Sequence, residues 1–278
     1  MTIIVQAKRK FAAPPFVRTI DDPRDPLNLS LVGHWTMDAE TINGTKMLDL
    51  SGRDNHGALV NAPPIVSGRI GQAIKVNGTS QYIAVPHNAS LNVTTAAGLA
   101  ISAWVYPTGS VSGNTEAIVA KSDGGSAFNY MFYRNHGALD VLGFWNGSNY
   151  IGSTVVIPLN TWTHVSYNTD GLNSLFVVNG VPVGAAIFEG VGPINTGPVA
   201  IGANPATPAP DSYFQGYIDD VRIYNRGLRN VELQRLYWNP ARDRVPYQTR
   251  ARIATVAGAP SSSITSRRTL RQRTGSRA

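Results

Sequence analysis

Apolar and polar residues alternate through most of this chain in short runs, and Gly, Asn and Pro break those runs at close intervals. The pattern predicts many strands and little helix. The run that organises the rest is Gly216 to Leu228. Tyr217, Asp219, Val221 and Ile223 alternate onto one face, and Ile218, Asp220, Arg222 and Tyr224 onto the other. Val221 and Ile223 call for a core, which leaves Asp219 at the edge of the same apolar face. A carboxylate there needs a donor or a cation, because burying it unpaired is costly. Asp220 and Arg222, neighbours on the opposite face, are expected to pair.

The same grammar recurs upstream. Leu31–Asp38 alternates as a strand, and Gly68–Pro86 reads as two strands joined at Asn77-Gly78, a hairpin signal. In Leu99–Pro107, Ile101, Ala103 and Val105 are expected on the core, with Ser102, Trp104 and Tyr106 on the other side. Further strands are predicted at Ala117–Lys121, Asn129–Asn135, Leu139–Trp145, Tyr150–Ile157, Thr161–Tyr167 and Ser174–Val183, with turns at Asn146-Gly147 and Asn179-Gly180. Val199–Ala203 leads into a Pro-rich loop, Asn204 to Pro210. Short, evenly spaced strands without βαβ alternation predict an all-β antiparallel sandwich. Leu228–Tyr237 has a helical pattern with Leu228, Val231, Leu233 and Leu236 available to one side, and Pro240 ends it. The chain thus divides into an N-terminal arm (residues 1–29), a sandwich (30–240) and a C-terminal tail (241–278).

Composition adds two things. There is no cysteine, so no disulfide framework and no Cys-based nucleophile or metal site. The net charge of +7 is unevenly placed: residues 241–278 hold nine Arg against one acid, a net +8, so everything before Ala241 sums to −1. Arg242, Arg244, Arg250, Arg252, Arg267, Arg268, Arg271 and Arg273 are therefore candidates for binding an acidic partner, the alternative being a solvated tail. The arm, with Ile3-Ile4-Val5 and several prolines, is either an anchor in an assembly or a linker. Met1 to Val5 followed by Lys8-Arg9-Lys10 is in the wrong order for a secretion signal, and no apolar run approaches the roughly 20 residues of a membrane span.

Several of these landmarks resemble the laminin-G-like, concanavalin A-like lectin family. They are Asp49-Leu50-Ser51-Gly52 with Asn55 and Gly57; Gly68–Pro86, with Val76 where the family carries an aromatic; Trp162-Thr163-His164-Val165; Leu175–Gly180; and the Gly216–Leu228 strand. The resemblance implies a concanavalin A-like jelly roll and a lectin-like surface that contacts glycans. It also implies a structural Ca²⁺ joining the first and last strands through Asp38 and Asp219, with carbonyls of the Asp38–Gly44 loop. The alternative for Asp219 is a hydrogen bond from backbone N–H groups or His34. Asp49 and Asn55 suit either a turn or calcium ligation.

Chemistry narrows the function. The paired carboxylates of laminarinase-type glycosidases, Glu with Asp two residues on, are absent: the four Glu are Glu40, Glu116, Glu189 and Glu232, and none has that spacing. No nucleophile elbow or phosphate loop appears. Trp104, Tyr133, Trp145 and Tyr150 are the candidate glycan stackers, though a Trp in a half-buried strand can equally be packing. A sandwich with a basic extension is similar to proteins of tailed-bacteriophage virions. The expectation is a non-enzymatic virion structural protein, a capsid decoration, head-fibre or tail component at the particle surface. Its arm and tail would bind other virion proteins. The alternatives are a free extracellular carbohydrate-binding or adhesion module and, last, a glycoside hydrolase.

Overall fold

Alternating strands bury one face only against a second sheet, and this chain builds two. A computed structural model describes residues 25–109, 115–124, 127–135, 139–187, 190–206 and 208–238. Its strands are β1 (Leu31–Trp35), β2 (Ile42–Asn43), β3 (Lys46–Met47), β4 (Gly57–Val60), β5 (Ile65–Ser67), β6 (Gln72–Asn77), β7 (Tyr82–Val85), β8 (Leu99–Pro107) and β9 (Glu116–Ser122). They continue with β10 (Phe128–Arg134), β11 (Val141–Trp145), β12 (Tyr150–Val156), β13 (Thr163–Thr169), β14 (Ser174–Val178), β15 (Val181–Ile187), β16 (Val199–Ile201) and β17 (Gln215–Tyr224), before helix α1 (Asn230–Trp238). The first sheet runs β15-β14-β13-β8-β17-β6-β5, with β1 also on β17; the second runs β12-β11-β10-β9-β16-β7-β4-β3-β2. The fold is therefore an all-β antiparallel sandwich. Among the described residues no helix is long and apolar enough to cross a membrane.

β17 is central: one edge pairs with β8, and the other with β6 and then β1. Its alternation breaks where the sequence places the acid on the core. Asp219 pairs with Trp104 and Arg222 with Ser102, so two residues, Asp220 and Val221, stand opposite one. This is a β-bulge, with Asp220 at φ 50°. The extra residue resets the faces. Ile218, Val221 and Ile223 enter the core with Ile101, Ala103 and Val105, while Asp219 moves to the outer face beside Trp104. The expectation that Asp219 shares the face of Val221 is thus corrected. The expected Asp220–Arg222 ion pair is present at 3.2 Å, and His34 Nε2 joins it at 2.9 Å from Asp220 Oδ1.

Asn77-Gly78 is also corrected. β6 belongs to the first sheet and β7 to the second, so the turn carries the chain across the sandwich instead of closing a hairpin. Asn77 Oδ1 still makes the turn, accepting from the N–H groups of Thr79, Ser80 and Gln81 at 2.9–3.1 Å. Asn179-Gly180 does close a hairpin, Val178 pairing with Val181.

Packing begins before Leu31. Leu27, 2% exposed, joins Leu31, Ala100, Val177, Tyr224, Leu228, Leu233 and Leu236 in a second apolar cluster on the outer face of the first sheet. Residues 25–29, read from sequence as arm, are thus part of the packed body. Val231, expected on the inner side of the helix, is 64% exposed. The rest of the arm and the tail arginines from Arg242 to Arg273 lie outside the described residues.

Candidate functional site

The outer face of the second sheet carries the site. Tyr130 and Phe132 of β10 and Leu142 and Phe144 of β11 point into the core, so Met131, Tyr133 and Trp145 point outward. Trp145 pairs directly with Tyr150 across the β11–β12 hairpin. Asn146 Oδ1 holds that turn by accepting from Ser148 and Asn149 N–H at 3.0 and 2.8 Å, and Gly147 takes φ 92°. Cross-strand partners lie close enough for ring contact: the Trp145 and Tyr150 rings stack with centroids 4.0 Å apart and planes at 26°. Tyr133 meets Tyr150 edge-on at 6.5 Å, and Phe128 meets Trp145 edge-on at 6.4 Å. A Cβ on Gly143 would sit 2.4 Å from the Tyr133 ring, so only glycine lets that ring lie down over β11.

These side chains form the wall and floor of an open groove of about 350 Å³, within the size range of small-ligand sites. Tyr150 is 63% exposed and offers a ring face, while Tyr133 is fully buried and supports Tyr150 edge-on. The rest of the lining is polar. Thr115 and Ser212 join by a hydroxyl–hydroxyl bond of 2.9 Å, and Asn204 and Asp211 bracket the Pro-rich loop. Three of the four candidate stackers, Tyr133, Trp145 and Tyr150, are therefore brought together, but the fully buried Tyr133 has no face for a sugar, and its reading as a stacker is corrected to packing.

Trp104 is not among them. It is 2% exposed. Its ring packs on His164 at 5.2 Å and Tyr237 at 5.6 Å, with the Arg69 guanidinium 4.8 Å above. No face is left for a sugar, and the reading of Trp104 as a stacker is corrected to packing under α1. Tyr106, Trp162 and Tyr217 form a half-buried group on that same sheet, with Lys75 Nζ 5.7 Å over Tyr217.

Sequence reasoning missed the polar rim and the Phe128–Met131 floor. The rim's signal is the pair of polar residues, Asn204 and Asp211, at the two ends of the Pro-rich loop. The floor's signal is the outward set interleaved with Tyr130 and Phe132.

Asp38 and Asp219 are drawn to one loop. Asp38 Oδ1 accepts from Gln72 N–H at 2.9 Å and Asp219 Oδ2 from Ile70 N–H at 2.8 Å. In each carboxylate one oxygen accepts a backbone N–H of the loop, which anchors the loop between the first and last strands. Among the described residues no group of three or more His, Cys, Asp or Glu could hold a metal ion. Asp49 takes the turn role, accepting from the N–H groups of His34, Ser51 and Asn55 at 2.8–2.9 Å.

Among the described residues, Ser102 Oγ meets His164 Nε2 at 2.8 Å, a nucleophile–base contact. Burial holds His164 neutral, with its pKa lowered to about 3. His164 Nδ1 has no hydrogen-bond partner among the described residues, and Asp220 bonds His34 instead. Both residues are essentially sealed from solvent. An imidazole without an orienting acid, out of reach of substrate, does not make a catalytic pair.

A family profile described as the concanavalin A-like lectin/glucanases superfamily matches residues 77–234, more than half the chain. The chain belongs to that superfamily. No curated protein sequence matches it. Among solved structures it is similar to domain 4 of AbnA, a GH43 extracellular arabinanase from Geobacillus stearothermophilus, in complex with arabinotriose. The two are 21% identical with TM-score 0.59, covering 75% of this chain and 98% of that one. The binding domain of Paraclostridial Mosquitocidal Protein 1 is 20% identical with TM-score 0.57, covering 75% of this chain and 52% of its own. Trypanosoma rangeli sialidase is 17% identical with TM-score 0.56, covering 77% of this chain and 33% of its own. The chain thus spans nearly all of the arabinanase domain, about half of the toxin domain and a third of the sialidase. At these identities the likeness is one of fold.

Proposed function

We propose that this lectin-like sandwich is a glycan-binding module whose site is the aromatic groove of the second sheet. The observation that carries the reading is the stacked Trp145–Tyr150 pair standing open beside a polar rim. An aromatic face takes the C–H side of a sugar ring, and polar groups beside it read the hydroxyls. The arabinotriose bound to domain 4 of AbnA accords with this fold carrying such a site. The test is a glycan array followed by calorimetry on the full chain. Trp145→Ala and Tyr150→Ala should each weaken binding by about tenfold or more, with little change in Tm. Trp162→Ala, on the other sheet, should leave binding intact. A wild-type chain that binds no glycan, or binding indifferent to both groove substitutions, would sink the proposal.

The charge distribution favours a second reading about setting: a non-enzymatic virion structural protein, held to other virion proteins by its arm and tail. The net +8 of residues 241–278 suits docking on an acidic partner surface. Immunogold labelling of source particles should show fixed sites. A full chain with Arg267, Arg268, Arg271 and Arg273 changed to Ala should lose particle association while keeping glycan binding. A chain found only free of particles would remove this reading.

A further inference from the structure

The groove's charge is one-sided. Of the side chains that line it, Asp211 is the charged one, and no Lys, Arg or His stands among the described lining residues. The surrounding body has the same sign: residues 25–238 hold 10 Lys and Arg against 14 Asp and Glu, a net −4, so the chain's positive charge comes from its ends. The rim's exposed acceptor is the Asp211 carboxylate, and Asn204 fixes its position. Asn204 and Asp211 exchange backbone hydrogen bonds of 2.9 and 3.1 Å, which pins the Pro-rich loop. Asn204 Nδ2 donates to Asp211 Oδ1 at 2.9 Å. Asn204 is 5% exposed, and its Oδ1 has no hydrogen-bond partner among the described residues. Asn204 therefore acts on the groove through the carboxylate it holds, not through its own sealed oxygen.

We infer that the groove selects uncharged sugars: the exposed Asp211 carboxylate, held in place by Asn204, accepts hydrogen bonds from ligand hydroxyls and rejects glycans bearing sialic acid or uronate. The inference rests on the groove being a glycan site. A neutral sugar brings several O–H donors to the exposed carboxylate. A carboxylated one brings a like charge against Asp211 within an acidic body, which disfavours the wrong partner and slows its approach.

The experiment uses the full chain on matched pairs of oligosaccharides differing only in a sialic acid or uronate. Neutral members should bind, and acidic partners should bind about tenfold or more weakly at low salt. Raising the ionic strength should narrow that ratio, since salt screens a like-charge repulsion at a groove open to solvent. Asp211→Asn keeps an acceptor for Asn204 Nδ2 while removing the charge, and it should bring the ratio close to one. Asn204→Ala should weaken binding of the neutral members. Acidic members bound as well as neutral ones at low salt, with binding still lost in Trp145→Ala, would overturn the selectivity and leave the groove as a glycan site. Binding of no member, or binding unmoved by Trp145→Ala, would overturn both.

Discussion

His164 illustrates how a single residue links burial to pH. It faces Ser102, the Trp104 and Tyr237 rings, and the Asp220–Arg222 pair. Desolvation lowers its pKa to about 3; Asp220 opposes the shift and Arg222 adds to it. The unfolded chain binds a proton near pH 6.5 and the folded chain does not, so the unfolded state holds more protons between pH 6.5 and 3. Stability contributed by the neutral ring is full above that window and is lost as the pH falls through it. The slope approaches about 1.4 kcal/mol per pH unit while the unfolded imidazole is charged. His164→Gln keeps a partner for Ser102 and removes the titration. Urea unfolding between pH 6.5 and 5, above most carboxylate titration, should show a steep slope for the wild type and a shallower one for the variant. Equal slopes would mean that the ring protonates in the folded state.

At the scale of elements, α1 and the segment before β1 are tied to each other through a few charged side chains. Arg226 donates to both Glu232 oxygens at 2.7 and 3.0 Å and to the Pro26 carbonyl at 2.6 Å. Glu232 also accepts from the Arg229 N–H at 2.8 Å, satisfying one of the free donors at the helix start. Arg235 grips Asp25 with both of its terminal nitrogens. Arg226→Ala should cost about 2–4 kcal/mol, because it leaves the buried Glu232 carboxylate without its main partner. Arg226→Ala combined with Glu232→Gln should recover part of the loss in urea melts. A single variant within about 0.5 kcal/mol of wild type would show that the clamp contributes nothing. The apolar side of α1 was legible in Leu228, Leu233 and Leu236, but the clamp was not. Arg226 reaches Pro26 across 200 positions, and no local period encodes such a contact.

For the whole molecule, the issue is what joins the first and last strands. Backbone pairing of β1 with β17, the His34–Asp220 contact and the loop held by Asp38 and Asp219 already do so. EDTA is therefore expected to leave Tm within about 1 °C. Millimolar Ca²⁺ that raised Tm by several degrees would instead assign Asp38 and Asp219 the role of ligands, since an ion stabilises the folded state by binding it.

By itself the sequence determined the sandwich, most strand positions, the Asn-Gly turns and the outward aromatic residues. These follow from period-two patterning and turn chemistry, which act over a few residues. Only the tertiary structure decided three things. The bulge at Asp220 reversed the face of Asp219, because one inserted residue shifts a period-two pattern by half its length. The sheet to which β6 and β7 each belong is set by distant partners, so a hairpin-like turn became a crossing. Finally, Tyr133, Trp145 and Tyr150 were gathered into one groove while Trp104 was covered. All four look alike in sequence, and the packing of α1 and Arg69 over Trp104 separates them.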